Sequence, residues 1–128
     1  LVIIDYLTLI EGSGRRERYL EVGEISRGLK RMARELKVSV IVLAQLNRAV
    51  EQRQDKRPVM SDLRDSGEIE QDGDKIIFLH RDDYYDSEAE NKNIIEVIVA
   101  KHRNGPLGVV PLFFDRSTQT FANLEVRQ

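Results

Sequence analysis

The sequence predicts an α/β fold, with parallel strands in its N-terminal part and antiparallel strands in its C-terminal part. Two apolar, β-branched runs, residues 1–4 and 38–44, flank a segment with helical periodicity. Strand, helix, strand is the crossover of a parallel pair. Three further apolar runs follow closely on one another, separated by turn chemistry, which is the pattern of antiparallel strands. At 128 residues the chain is long enough for one domain with a core.

Residues 1–4 form a continuous Leu-Val-Ile-Ile run closing on Asp5, the pattern of a strand buried on both faces. Gly12 to Arg16 reads as a flexible basic loop. Over residues 20–37 the apolar positions Val22, Ile25, Leu29, Met32, Ala33 and Leu36 recur at steps that share one helical face. Gly28 interrupts that helix and suggests a close packing contact. Residues 38–44 give the second buried strand, with Gln45 at its end. Residues 46–60 are polar and aperiodic and read as a mobile loop, and 61–74 carry turn and short-helix signals. Residues 76–79 are a third strand of buried type. Residues 81–92 are acidic and polar, residues 94–100 a fourth strand, and Asn104-Gly105-Pro106 a sharp turn. Residues 109–114 are a further strand, and Phe121 opens a short last one.

Composition removes several classes. Without cysteine there is no disulfide framework and no thiolate nucleophile or metal ligand. The apolar runs are too short to cross a membrane, and nothing resembles a signal peptide. Twenty Lys and Arg against 22 Asp and Glu leave a net charge of −2, so the chain is not uniformly basic. It begins without Met inside an apolar run, which reads as a cut through a larger protein.

Several residues have the chemistry of a site. Asp5, at the carboxyl end of a buried strand, has the local form of a Walker B aspartate, which holds Mg²⁺ of a nucleotide; Asp also ends strands with no such role. Gln45 at the neighbouring strand end has the chemistry to sense a phosphate or orient water, or only to cap loose backbone groups. Between Arg48 and Arg64 five basic residues face three acidic ones, a locally positive loop inside a negative chain. Lys101 and Arg103 fall on one face by strand alternation and suit a phosphoryl group, or simply keep a strand soluble. His80 and His102 lack partners at metal-ligand spacing. Tyr84 and Tyr85 have the faces to stack on a base.

Taken in order, the stretches Leu-Val-Ile-Ile-Asp-Tyr-Leu from residue 1, Val-Leu-Ala-Gln-Leu-Asn-Arg from 42, Ser-Asp-Leu-Arg-Asp-Ser-Gly-Glu-Ile-Glu-Gln-Asp from 61, Phe-Leu-His-Arg-Asp-Asp-Tyr-Tyr from 78 and Ala-Lys-His-Arg-Asn-Gly-Pro-Leu-Gly from 100 closely resemble the C-terminal, RecA-like ATPase domain of the bacterial DnaB-type replicative DNA helicases. The resemblance spans essentially the whole chain. It implies the C-terminal part of a P-loop NTPase core, working with ATP and Mg²⁺ in an ATP-driven, hexameric ring that unwinds duplex DNA at replication forks. Asp5 then corresponds to the Walker B aspartate, binding Mg²⁺ through water. Gln45 corresponds to the glutamine that links nucleotide state to the DNA loops. Arg64, Asp65 and Gly67 correspond to the loop gripping the single-stranded DNA backbone. Arg103 corresponds to the arginine finger and Lys101 to its partner, both acting on a neighbouring subunit's nucleotide. His102 stands where the family carries glutamine. The resemblance further implies identical subunits, primase and a helicase loader as partners, no membrane, and the cytoplasm of a bacterium, with a chromosomal or phage gene.

The phosphate-cradling motif G-x-x-x-x-G-K-[ST] occurs nowhere in the chain. Residues 1–128 are therefore expected to be a single partial domain that starts at the Walker B strand and is inactive by itself. An apolar edge and face are expected to be exposed, favouring self-association. Two other readings stand beside this one: a RecA-like recombination or repair ATPase, and a non-catalytic subunit-assembly module.

Overall fold

A computed structural model of the chain describes residues 1–10, 18–63 and 67–124. It divides into two compact units, each made of two chain segments. The first comprises Leu1–Val50 and Val59–Gly73, the second Glu51–Pro58 and Asp74–Gln128.

In the first unit, β1 (Val2–Ile4) pairs in parallel with β2 (Val40–Val42), in the register Val2↔Val40, Ile3↔Ile41, Ile4↔Val42. The connection is helix α1 (Arg18–Leu36), within about two residues of its predicted span. The helix ends where Lys37 takes φ 52°, and its last carbonyls are used by Lys37 N to Arg34 O (3.4 Å) and Val38 N to Ala33 O (3.1 Å). That pair of bonds is a Schellman closure, here without the usual glycine.

The expectation of strands buried on both faces is corrected. Leu1, Ile3, Ile41 and Leu43 are exposed and alternate with half-buried Val2, Ile4, Val40 and Val42. A two-stranded sheet with α1 beside it covers one face only, so the period-two alternation of a strand becomes an alternation of exposure. The face left open is apolar, as expected.

Gly28 is corrected too. A side chain there would meet nothing, whereas a Cβ on Gly23 would come within 2.8 Å of the Glu68 side chain. Gly23 is the glycine that lets α2 (Gly67–Asp72) approach α1. Ser26 Oγ donates to Asp72 Oδ2 at 2.7 Å, and Arg27 Nη1 donates to Glu68 Oε2 at 2.7 Å. Both ends of α2 are thereby tied to α1.

Residues 46–60, read as an aperiodic loop, contain a 3₁₀ turn at Arg48–Gln52, and a second follows at Met60–Asp62. Val50 plugs the first into the core at 4% exposure. From Glu51, inside the first turn, to Pro58 the chain belongs to the second unit.

The second unit is an antiparallel sheet in sequential order, β3 (Lys75–His80), β4 (Ile94–His102), β5 (Gly108–Asp115) and β6 (Thr120–Asn123). β3 is not buried on both faces either. Ile76, Phe78 and His80 point inward, while Ile77 and Leu79 are more than half exposed. The β3–β4 register changes between Ile76 and Ile77: Ile77 pairs with Val99 but Ile76 with Lys101, leaving Ala100 as the extra residue of a bulge.

The acidic stretch 81–92 is less solvated than its composition suggests. It opens with the short helix α3 (Asp82–Tyr85). The Asp83 side chain is 2% exposed and receives Arg81 Nε at 2.9 Å and Asn93 N at 3.2 Å, with Arg116 Nη1 at 3.7 Å. The bond from Arg81 holds its carboxyl below the usual carboxylate range, against the opposing effect of burial. Beside it Arg57 grips Glu96 of β4 with two bonds, Nε to Oε2 at 2.7 Å and Nη2 to Oε1 at 3.0 Å. Asp82 lies 3.7 Å from the same guanidinium, and its Oδ1 lies 2.8 Å from Nε2 of buried His80. This charge-assisted fork raises the Arg57 pKa, and the His80 bond leads in lowering that of Asp82.

Asp83 generates a prediction. Its lowered pKa means the unfolded chain binds the proton more readily, so its stabilisation is complete above the unfolded carboxyl value of about 4 and fades as pH falls through the folded value. Thermal melts should show Asp83→Asn less stable than wild type at pH 7 by about 2 kcal/mol. The gap should narrow in acid. A constant gap across the acid range would refute the assignment.

Candidate nucleotide and DNA interface

The parallel pairing sets Asp5 and the chain leading to Gln45 beside each other at the carboxyl ends of adjacent strands, where open α/β sheets bind ligands. The backbone keeps the two strand ends together: Leu43 N donates to Ile4 O at 2.9 Å, and Leu7 N to Leu43 O at 2.8 Å. Asp5 and Gln45 are both exposed. Gln45 is not the last strand residue, since β2 ends at Val42, three residues earlier. It leads at once into the isolated antiparallel bridge Leu46↔Leu63. Asn47 N extends this contact to Asp62 O at 2.6 Å, and buried Asp62 takes Val59 N on its carboxylate at 2.8 Å.

Arg64 and Asp65 lie outside the described residues. Gly67 opens α2, with open space where a side chain would be. Leu63 is held by its bridge to Leu46, and α2 by its contacts with α1.

Lys101 and Arg103 stand at the end of β4 in the second unit. Lys101 pairs with Ile76, and Arg103 N donates to Asp74 O at 2.9 Å, so their partners alternate along one face of β3. Arg103 Nη1 also meets Asp74 Oδ1 at 3.2 Å. His102 pairs with Lys75 on the intervening position, and its Nδ1 lies 3.4 Å from Pro106 O. Its ring lies against Gly105, where a Cβ would collide with it. Glycine at 105 is what lets the ring lie this close to the turn.

The residues suit a nucleotide that brings its own Mg²⁺. Among the described residues no cluster of three His, Asp or Glu is positioned to hold a metal. Mg²⁺ needs no such cage, being held through one or two carboxylates, water and substrate phosphates, and Asp5 supplies one exposed carboxylate. Among the described residues no helix is long and apolar enough to cross a membrane.

Sequence reading misses Gly23, Ser26, Arg27 and Asp74, which brace α2 and Arg103, and the Arg57–Glu96 fork. Of the two tyrosines it singles out, Tyr84 is 73% exposed, while Tyr85 stacks on His80 at 5.9 Å, with Lys56 Nζ 5.6 Å from its ring centroid.

A parallel strand pair joined by a helix, with Asp5 just past the end of one strand, followed by a separate antiparallel sheet, is an α/β arrangement. The chain belongs to the DnaB-like helicase C-terminal domain family, whose model matches residues 1–123. It is 64% identical over 129 aligned positions to the replicative DNA helicase DnaC of Bacillus subtilis and 62% identical to the replicative DNA helicase DnaB of Geobacillus stearothermophilus. Each alignment covers 99% of this chain and 28% of the relative, so the chain spans little more than a quarter of their length. Among solved structures, an isolated ATPase domain matches with a TM-score of 0.94 at 60% identity, covering 97% of this chain and 44% of that one. A DnaB-like replicative helicase, solved to describe its interactions with primase, matches with the same TM-score and identity over 31% of its chain. These matches agree with the α/β fold and with the family expected from the ordered motifs.

The Gly105 contact is testable. Gly105→Ala should turn the His102 ring out of place while changing stability by less than about 1 kcal/mol, because the ring is a movable obstacle. Unchanged His102 ring resonances in the variant would show that the contact is absent.

Proposed function

We propose that this chain is the C-terminal portion of the RecA-like motor domain of a hexameric replicative DNA helicase, which couples ATP hydrolysis to unwinding at the replication fork. Asp5 would hold the Mg²⁺ of bound ATP through water. Gln45 would relay nucleotide state to the DNA segment. Arg64, Asp65 and Gly67 would grip the backbone of single-stranded DNA. Arg103, with Lys101, would act on the nucleotide of a neighbouring identical subunit, supplying positive charge where phosphoryl transfer develops negative charge. Mg²⁺ would neutralise phosphate charge in the bound nucleotide. Primase and a helicase loader would be met through the rest of the protein, in the bacterial cytoplasm.

The observation that best supports this reading is the path out of Gln45. Its next residue, Leu46, forms a backbone bridge to Leu63, and Leu63 immediately precedes Arg64. The chain that follows Gln45 is thus bridged to the residue that precedes Arg64 in sequence. The family membership supports the same roles.

Two outcomes follow. The 128-residue chain should hydrolyse ATP no faster than background, since it has no backbone cradle for the phosphates. Magnesium-dependent turnover that Asp5→Ala abolishes would contradict this. In the intact protein Arg103→Ala should reduce ATP turnover by roughly a thousand-fold while leaving nucleotide affinity nearly unchanged. Wild-type turnover by that variant would remove Arg103 from the reaction.

A further inference from the structure

Arg103 is held in a way that stability alone does not explain. Continued regularly from Ile77↔Val99, the ladder would set Asp74 opposite His102. The extra residue Ala100 shifts the register by one, giving Ile76↔Lys101 and Lys75↔His102. Asp74 consequently meets Arg103, by a backbone bond of 2.9 Å and a side-chain contact of 3.2 Å. Bulges recur where a strand must re-aim a side chain, and this one selects the arginine as the partner of a carboxylate.

The contact is exposed, at 44% for the Arg103 side chain and 58% for Asp74. Pairs in that setting contribute little to folding. They do restrict direction: the backbone bond fixes both chain positions first, so the guanidinium loses less freedom in lining up with the carboxylate. The turn that follows is packed by the His102 ring on Gly105.

Asp74 also occupies a particular place in the chain. Helix α2, which starts at Gly67, ends at Asp72 with Ser26 on its carboxylate. Gly73, capped by its bond to Ile69 O at 3.0 Å, is the one residue between α2 and Asp74. The boundary between the two compact units falls between Gly73 and Asp74.

We propose that Asp74 is a positioning residue that holds the Arg103 guanidinium in the direction from which it acts on a nucleotide. This rests on the reading of Arg103 as the residue that acts on a neighbour's nucleotide.

The test uses the intact protein and ATP saturation curves. Asp74→Asn keeps the backbone carbonyl and side-chain size but removes the charge. It should lower kcat roughly ten-fold, with KM for ATP changed less than about two-fold. Asp74→Glu, which keeps the charge, should recover most of kcat. Wild-type kcat in Asp74→Asn would overturn the proposal, as would equal damage from Asn and Glu. Loss of ring assembly in Asp74→Asn would make the contact structural and overturn it as well. Arg103→Ala is run alongside: wild-type turnover there would refute the underlying reading, whereas an inactive Arg103→Ala beside a normal Asp74→Asn would refute only the positioning role of Asp74.

Discussion

The pairing of β3 with β4 is the constraint on which the second unit depends. β4 is the longest strand and has a neighbour along each edge. Its pairing with β3 buries Ile76 and Phe78, and its Glu96 receives the Arg57 fork. The same ladder sets what stands at its far end. Because the register slips once, at Ala100, the residues beyond the slip are displaced by one place relative to those before it. A backbone irregularity of one residue thus decides which side chain faces Asp74.

Charge in this protein is concentrated in local networks. The chain is close to neutral as a whole, yet Arg57, Asp82, Glu96 and His80 form one linked group, and Arg81, Asp83 and Arg116 another. The second brings the Asp83 carboxylate out of water in contact with a guanidinium, the condition under which buried charge is tolerated, while the carboxylates of the first stay partly exposed. The first network holds residues 51–58 to the sheet. The second closes the acidic stretch onto the start of β4 through Asn93, whose φ of 61° is the left-handed turn an asparagine accepts.

Strands and the long helix are legible in the sequence because their signals are local. Runs of Val, Ile and Leu mark β1, β2, β3, β4 and β5, and the spacing from Val22 to Leu36 marks α1. What the sequence hides depends on partners distant along the chain. Composition suggests burial of both faces of β1 and β3, but one face of each is open, since burial depends on which layers cover a strand. Gly28 and Gly23 look alike in sequence, and only the arrival of Glu68 separates them. Arg57 and Glu96 are 39 positions apart, and neither announces the other. For the candidate site, Asp5, Gln45, Lys101 and Arg103 are legible as strand-end residues and through the family's ordered motifs. Asp74 is not, because its significance comes from a bulge that no residue type encodes.

The interleaving of the two units has one further consequence. Each is assembled from two separate stretches, so the chain passes between them three times, after Val50, after Pro58 and after Gly73. No single cut can therefore release either unit whole. An excision at residue 73 would strip the sheet of the segment bearing Arg57 and leave Glu96 and Asp82 without their guanidinium. Recombining such halves with those of a relative would have to exchange residues 51–58 together with the C-terminal strands, making that octapeptide, despite its position, part of the C-terminal unit of inheritance.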